Sequence, residues 1–184
     1  MAVLHSELLL EKLKSAFQGV TRDGGISWLQ ADVIDDYGSA WDREYARTKE
    51  TDFSWMDVAH DPAWTIQYRD SNWSFLDAIG FRYYIAAAIA RHLIFGDQVL
   101  DDFRLVPRDN HDKHQFSKDQ IAVIIGYLEY CENEDALNSL DREFESSSLD
   151  FDEYIRDNGE YDLEPQAPSS PIEYWTQVLT TLDS

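Results

Sequence analysis

The apolar positions of the chain recur with the period of an α-helix in several separate stretches. In the first stretch, Leu9, Leu13 and Phe17 share one helical face, and Gly19 is suited to end the helix. A second, shorter stretch follows Ser27, whose side chain is one of those preferred at a helix N-cap. The beginning of the chain therefore predicts two helices joined by a turn.

The middle of the chain changes from a mixed pattern to an almost wholly apolar one. Aromatic and acidic residues intermingle between 39 and 72, which predicts short helices and loops. Asp77 and Gly80 predict a turn, whereas the alanine-rich run from Tyr84 to Phe95 has strong helix propensity and little polar surface. A helix that is apolar nearly all round belongs in the middle of a bundle.

The C-terminal part adds two helices with a long connection between them. Ser117 and Gln120 form an S-x-x-Q capping box ahead of a long helical pattern, which continues, bent or broken, to Phe144. Prolines over 158–171 predict an extended connection, and Ser170 is the predicted N-cap of a closing helix. The whole pattern predicts a mainly α fold, a helical bundle with long irregular connections.

Length and composition set limits on the organisation and on the partners. A chain of 184 residues is expected to form a single domain over 1–184, and its 43% apolar residues argue against disorder. Its 36 acidic residues against 15 basic ones give a formal net charge of −21. Such a charge repels nucleic-acid phosphates and anionic lipids. We therefore expect a basic protein partner, with no direct binding to nucleic acid or membrane.

The location of the protein is predicted from its apolar runs and its cysteine content. The N-terminal residues carry no basic leader, and no apolar run reaches the length of a membrane-spanning helix. Cys131 is the only cysteine in the sequence, which fits a reducing compartment. We therefore expect a cytoplasmic protein.

One charge lies inside the most apolar part of the chain. Arg82 stands between aromatic residues and cannot lose its proton, so its burial requires carboxylate or carbonyl acceptors. Asp35, Asp36 and Asp77 are the plausible carboxylate partners, and such a pair would hold the core together. The alternative is an anion pocket, for which Arg82, Asp36 and Asp77 are the candidate residues.

Few residues have the spacing that catalysis or metal binding requires. His111 and His114 lie beside aspartates but have no third ligand at a motif spacing, so we favour a solvated loop over a metal site. Cys131 lies next to acidic residues, which lower the reactivity of a thiol. The sequence contains no phosphate-binding loop and no nucleophile-elbow motif. We predict no catalytic residue, no metal and no cofactor, and we favour a binding protein over an enzyme.

The negative charge is concentrated toward the C-terminal end. Residues 132–164 contain thirteen acidic residues against Arg142 and Arg156, a net charge of −11 in 33 residues. An acidic face with aromatic side chains can dock on a basic surface, because charge speeds the encounter and buried aromatics supply affinity. A solvated face that keeps the protein in solution is the alternative. The predicted partner-binding residues are Asp141, Glu143, Phe144, Glu145, Asp150, Phe151, Asp152, Glu153, Tyr154, Asp157 and Tyr161.

Three stretches of the sequence carry a resemblance to a known group of proteins. They are GISWLQADVIDDYG, FLDAIGFRYYIAAAI and FSKDQIAVIIGYLEY, and they resemble a bacterial family of uncharacterised domains, marked by an F-L-D-x-x-G-F-R-Y-Y block followed by an F-S-x-x-Q…Y-L-E-Y helix. In that family a proline often follows the aromatic pair, whereas this chain has Ile85 and Ala86, so residues 81–84 could be extended. The resemblance implies no catalytic residues. It implies a fold signature made of Asp36, Asp77, Gly80, Phe81 and Arg82.

In composition the chain is also similar to bacterial immunity proteins, which block a co-produced toxin. That similarity implies a non-enzymatic inhibitor that occludes the active site of a basic toxin. Two alternatives stay open. One is a small enzyme or anion-binding protein with an aromatic pocket centred on Arg82, and the other is a nucleic-acid mimic whose carboxylates are spaced like phosphates.

Overall fold

The computed structural model describes residues 2–50, 54–64, 70–96, 115–145 and 170–182. Within these ranges the chain forms α-helices and one short 3-10 helix but no strand, so the prediction of a mainly α fold is confirmed. The 3-10 helix covers Asp70–Phe75. The α-helices are α1 (Ala2–Ala16), α2 (Trp28–Asp35), α3 (Ala40–Lys49), α4 (Trp55–His60), α5 (Ala78–Phe95), α6 (Lys118–Glu145) and α7 (Pro171–Thr181).

Helix α5 lies at the centre of the packed core. Every residue from Tyr83 to Ala90 is buried, so the helix has no solvent-facing side over about two turns. Helix α5 packs against α1 and α4, and α6 packs against α1 and α7. Helix α2 packs against α3 and the 3-10 helix. The predicted central position of the alanine-rich helix is therefore confirmed.

The start of α5 differs from the prediction. Asp77 is its N-cap and Gly80 lies in its first turn, so the residues that were expected to form a separate turn begin the helix. Residues 81–84 are helical, and the prediction of an extended segment there was wrong. The Asp77 carboxylate accepts a hydrogen bond from the Gly80 N–H at 2.8 Å, which fixes the helix start without a proline.

Serine side chains begin α2, α6 and α7. Ser27, Ser117 and Ser170 each accept a hydrogen bond from the backbone N–H three residues later, as predicted. In α2 and α6 the residue at that third position is a glutamine, whose side-chain oxygen accepts a hydrogen bond from the backbone N–H of the cap serine. Both helices therefore begin with a complete capping box. Helix α6 then continues as one helix to Glu145 rather than as a broken one.

Side chains from distant helices satisfy the carbonyl groups at the end of α1. The last carbonyl oxygens of an α-helix have no partner within the helix. Gln120 Nε2 donates to the Ala16 carbonyl oxygen at 3.1 Å, and Trp55 Nε1 donates to the Phe17 carbonyl oxygen at 3.0 Å. These two bonds tie α6 and α4 to the end of α1.

A close backbone approach ends α2. Tyr37 adopts a left-handed conformation with φ of 57°, and the Gly38 N–H donates to the Val33 carbonyl oxygen at 2.7 Å. A Cβ atom at Gly38 would collide with the Val33 side chain, so this position requires glycine. The turn leaves Tyr37 in solvent.

None of the helices within the described ranges is both long and apolar enough to span a lipid bilayer. Residues 158–169 of the predicted extended connection lie outside the described residues, and α7 begins at Pro171. The single domain over 1–184 stays a prediction.

Candidate functional site

The segment before α2 crosses the first turn of α5, and Asp77 joins the two. Asp77 Oδ1 accepts a hydrogen bond from the Ile26 N–H at 3.0 Å as well as one from the Gly80 N–H at 2.8 Å. One carboxylate oxygen thus caps α5 and anchors a segment 51 residues away in the sequence. Two backbone N–H groups bind this one oxygen, which gives Asp77 a structural role.

Two glycines allow the chain to cross itself at this point. A Cβ atom at Gly80 would collide with the Ile26 carbonyl oxygen, and one at Gly25 would lie 2.7 Å from Ile79 Cγ2. The two backbones therefore meet where side chains are missing. This crossing is the physical reason for an aspartate and a glycine at positions 77 and 80.

Arg82 lies half-buried on α5 and binds a backbone carbonyl group. Its Nη1 donates to the Gln115 carbonyl oxygen at 2.8 Å, and its buried Nε has no hydrogen-bond partner among the described residues. Within the same residues Arg82 forms no ion pair with Asp35, Asp36 or Asp77. Asp77 is occupied at the start of α5, and Asp36 is exposed at the end of α2. A carbonyl acceptor therefore takes the place of the expected carboxylate.

Aromatic side chains next to Arg82 in the sequence pack against other rings of the core. Phe81 contacts Trp73 with ring centroids 5.8 Å apart and Phe116 at 6.3 Å. Trp73 contacts Trp28 at 5.3 Å, and Phe116 contacts Trp175 at 5.0 Å. All five rings are buried and meet edge to face, as aromatic pairs prefer. In the described part of the chain, Phe81 therefore belongs to a packed core rather than to the wall of an open pocket.

Another arginine forms the kind of ion pair that was expected of Arg82. Arg22 Nη1 lies 3.2 Å from Glu50 Oε2, with 14% and 11% of the two side chains exposed. Glu50 Oε1 also accepts a hydrogen bond from the Leu29 N–H at 2.8 Å. The pair joins the α1–α2 connection and the start of α2 to the end of α3. Sequence reasoning missed it because the partners are far apart in the chain and neither lies in an apolar run.

A histidine and a tyrosine join α5 to α6. His92 Nδ1 lies 2.5 Å from the Tyr127 hydroxyl oxygen, and the two rings meet edge to face. Tyr127 is buried, and His92 is half-buried. This contact holds two core helices together, and no sequence pattern indicated it.

Helix α3 presents a row of aromatic side chains to solvent. Trp41 and Tyr45 are stacked, with ring centroids 5.4 Å apart and planes 6° from parallel. Lys49 Nζ lies 4.6 Å from the centroid of the Tyr45 ring, a cation–π distance. Trp41 is 71% exposed, Tyr45 is 50% exposed, and Tyr37, just before the helix, is 94% exposed. Ala46 is the one buried residue of α3.

We call Tyr37, Trp41, Tyr45 and Lys49 the α3 surface. Sequence reasoning placed these residues in a segment of mixed character and missed the surface. The available signal was the spacing of Trp41, Tyr45 and Lys49, which are four residues apart and therefore share one helical face.

The first turn of α3 holds a carboxylate in its charged form. The Ser39 hydroxyl and the Ser39 backbone N–H donate to Asp42 Oδ2 at 2.6 and 2.9 Å. These hydrogen bonds hold the pKa of Asp42 below its usual range. Asp42 is therefore ionised at neutral pH, at the helix end where a negative charge is favourable.

Most of the predicted partner-binding residues lie outside the described part of the chain. The structure describes the backbone but not the side chains of four of them, which lie at the end of α6: Asp141, Glu143, Phe144 and Glu145. The remaining ones are Asp150, Phe151, Asp152, Glu153, Tyr154, Asp157 and Tyr161, and they lie wholly outside the described part, as do His111 and His114. Among the described residues, no group of three or more His, Cys, Asp or Glu side chains is placed to hold a metal ion.

Together these features define a helical protein in which the predicted polar groups of the described core serve the fold. The chain belongs to the family of unknown function DUF6714, whose sequence profile matches residues 5–177. The expected membership of an uncharacterised family is thus confirmed, and the similarity to immunity proteins stays a prediction. No curated protein and no solved structure matches the chain.

Proposed function

We propose that this protein is a non-enzymatic inhibitor of the immunity type, which binds a basic bacterial toxin in the cytoplasm and occludes its active site. The observation that carries the proposal is the formal net charge of −21, of which −11 falls within residues 132–164. Charge of this density destabilises a fold by self-repulsion, so a basic partner is the simplest reason to keep it.

The exposure of the acidic side chains supports a role in binding. None of the Asp or Glu side chains whose exposure the structure gives is buried. Exposed ones occur on α1, α3, α4, α6 and α7, so the described surface is negative on several sides. Such a surface attracts a basic protein from a distance. Residues 132–164 carry the densest negative charge, so we expect the partner to bind there.

The contacts of Arg82 and Asp77 weigh against the alternative of a catalytic or anion-binding pocket. The Asp77 carboxylate is bound by the backbone N–H groups of Ile26 and Gly80, and Arg82 Nη1 is bound to the Gln115 carbonyl oxygen. An anion ligand at Arg82 would have only part of the guanidinium available, because Nη1 is bound to that carbonyl group. The inhibitor hypothesis needs neither group for binding and is therefore the better supported of the two.

The experiment measures inhibition by the purified protein. The candidate toxin is the purified product of the gene adjacent to the gene for this protein, and its activity is titrated with increasing inhibitor. We expect stoichiometric loss of toxin activity, with an association rate that falls steeply as salt is raised. Absence of binding at low salt would count decisively against the proposal.

Two variants of equal net charge show where the partner binds. The test variant neutralises four acids of the predicted patch, and the control variant neutralises four exposed acids elsewhere. We expect the test variant to lose far more affinity than the control, whereas equal losses would mean that net charge alone acts. The test changes are Asp150→Asn, Asp152→Asn, Glu153→Gln and Asp157→Asn, and the control changes are Glu7→Gln, Asp23→Asn, Asp36→Asn and Glu129→Gln.

Competition with DNA separates this proposal from a nucleic-acid mimic when the toxin binds DNA outside its active site. A mimic occupies the groove that binds the phosphates of its partner, so DNA and the protein would exclude each other. An inhibitor that occludes only the active site of such a toxin leaves DNA binding intact. Mutual exclusion together with carboxylates at phosphate-like spacing would favour the mimic.

A further inference from the structure

We infer that α3 is a detachable strap, which releases from α2 and unfolds while the core around α5 stays folded, and that the ion pair between Arg22 and Glu50 is the latch that holds it closed. The inference rests on the contacts that α3 makes, on how little it buries and on how its ends are held. It is independent of the proposed inhibitor function, which depends on a different part of the chain.

The side chains of α3 interact mainly with each other. The cap residue Ser39 donates to Asp42 at the start of the helix, and Thr48 Oγ1 donates to the Tyr45 carbonyl oxygen at 2.7 Å near its end. The stacked rings and the cation–π contact of the α3 surface also have both partners within the helix. Among the described residues, no hydrogen bond, ion pair or ring contact joins a side chain of α3 to the chain outside 38–49. The helix is therefore held to the protein by other means.

The packing of α3 against the rest of the protein is small. The helix packs against α2, and it buries Ala46 alone among its 10 residues. By contrast, α5 buries ten residues and packs against both α1 and α4. Elements with few buried apolar contacts lie at the low end of the range of local stabilities within a protein. The release of α3 should therefore cost much less free energy than the unfolding of the core.

Glu50 holds the C-terminal end of α3 in place. Its Oε2 lies 3.2 Å from Arg22 Nη1, and its Oε1 accepts a hydrogen bond from the Leu29 N–H at 2.8 Å. Leu29 lies in the first turn of α2, where backbone N–H groups have no partner within the helix and a negative charge is favourable. The Glu50 carboxylate thus binds a guanidinium group and a helix N-terminus together. These two contacts fix the end of α3 that lies away from the α2–α3 turn.

The elements before and after α3 are anchored separately, so a released α3 stays between two fixed points. Before it, the Gly38 N–H donates to the Val33 carbonyl oxygen at 2.7 Å. After it, α4 is anchored by the buried Trp55, whose Nε1 donates to the Phe17 carbonyl oxygen at 3.0 Å. A helix of 10 residues is only marginally stable in water without packing. Once released from α2, α3 should therefore lose its helical hydrogen bonds while both anchors stay in place.

Native-state hydrogen exchange of the wild-type protein, measured by NMR at several low denaturant concentrations, tests the inference. The amides of residues 44–49 should have an opening equilibrium at least about 100-fold more favourable than those of residues 83–90. Opening of α3 should depend little on denaturant, because release of one short helix exposes little surface. Opening at 83–90 should show the full denaturant dependence of global unfolding. Equal opening free energies and equal denaturant dependence in the two helices would overturn the inference.

Substitutions at the ion pair test the latch by the same measurement. Glu50→Gln and Arg22→Gln each remove the pair from the closed state and leave the open state, in which the two side chains are apart, little changed. Each should raise the opening of α3 by about 10-fold, and the double variant should open no more than either single variant, because both remove one shared interaction. Glu44→Gln is the matched control, since it makes the same change at an exposed position of α3, and it should alter opening by less than about 2-fold. An effect of Glu50→Gln no larger than that of the control, or single effects that multiply in the double variant, would refute the latch.

A substitution in the core separates release of the strap from global unfolding. Ile124 is fully buried on α6, and Ile124→Val should raise the opening of residues 83–90 by about 2- to 10-fold. It should leave the opening of α3 unchanged, because the core is intact both before and after the strap is released. Glu50→Gln destabilises the closed state itself, so it should raise the opening of both helices. If Ile124→Val raises the opening of α3 as much as that of α5, then α3 opens only by global unfolding and the inference is wrong.

Discussion

Helix α5 buries ten of its residues, including Phe81, Tyr83 and Tyr84, whereas α3 buries Ala46 alone and leaves Trp41 and Tyr45 in solvent. The two helices draw on the same kinds of side chain. In α5 the rings fill space between helices, and in α3 they stack on each other on the outside. The residue type therefore does not decide the role of an aromatic side chain here. An aromatic side chain is buried only where other helices of the chain pack against its face of the helix.

The largest expected effect separates buried from exposed tryptophan. Trp73 is 7% exposed and contacts Trp28 and Phe81, so Trp73→Ala leaves a cavity and should cost about 3–5 kcal/mol of unfolding free energy. Trp41→Ala removes an exposed ring and should change the same quantity by less than about 0.5 kcal/mol. Urea denaturation followed by circular dichroism measures both free energies of unfolding. Similar costs for the two variants would mean that α3 is part of the core after all.

A pair of glycine variants tests the crossing of Ile26 over α5. Gly80→Ala forces a Cβ against the Ile26 carbonyl oxygen and should destabilise the protein by about 1–3 kcal/mol. Gly126→Ala is the control within α6, where a Cβ would meet Leu9 Cδ1 at an ordinary 3.6 Å. That change should stabilise the protein by about 0.5–1 kcal/mol, because alanine suits a helix interior better than glycine. The two substitutions should therefore change the free energy of unfolding in opposite directions, which denaturant titration measures. A change in the same direction for both would refute the close approach at Gly80.

Replacement of the N-cap of α5 should have a smaller effect. Asp77→Ala removes the acceptor for the N–H groups of Gly80 and Ile26 and should cost about 1–2 kcal/mol. Asp77→Asn keeps an oxygen acceptor at the same place and should recover much of that stability. Thermal unfolding of the two variants beside the wild type measures the difference. If asparagine behaves like alanine, charge rather than hydrogen bonding is the main contribution of Asp77.

The smallest effect is expected at the exposed start of α3. Ser39→Ala removes the hydroxyl donor to Asp42, and the pKa of Asp42 should rise toward its usual range without reaching it, because the backbone N–H bond stays. A carboxylate whose pKa is lower in the folded state stabilises the fold above its unfolded pKa, and this contribution disappears as the pH falls through the folded pKa. Titration of the Asp42 side chain by NMR measures the shift. No change in the variant would mean that the Ser39 hydroxyl does not hold this carboxylate.

Local features of the fold could be predicted from sequence, because the residues that decide them are close in the chain. The cap side chains of Ser27, Ser117 and Ser170 each accept a hydrogen bond from the N–H three residues later. The unbroken apolar run of α5 by itself predicts that the helix is buried, as the structure shows. The prediction of a separate turn at Asp77 and Gly80 was wrong because a cap and a turn use the same residue types.

Contacts between distant segments could not be predicted in the same way. The bond from Ile26 to Asp77 and the ion pair between Arg22 and Glu50 depend on how the helices pack, which no periodicity encodes. The same limit applies to Arg82. Its acceptor is a backbone carbonyl oxygen, which every residue has, so the sequence does not indicate which residue provides it. The candidate binding patch rests on charge density alone and stays a prediction.

The most direct test of the proposed function is the association rate between this protein and the purified product of the adjacent gene, measured by stopped-flow fluorescence at low and at physiological salt. The account predicts a rate that falls by at least an order of magnitude between the two conditions, and a further fall when the acids at 150, 152, 153 and 157 are neutralised. A rate that is independent of salt, or one that the four substitutions leave unchanged, would contradict it.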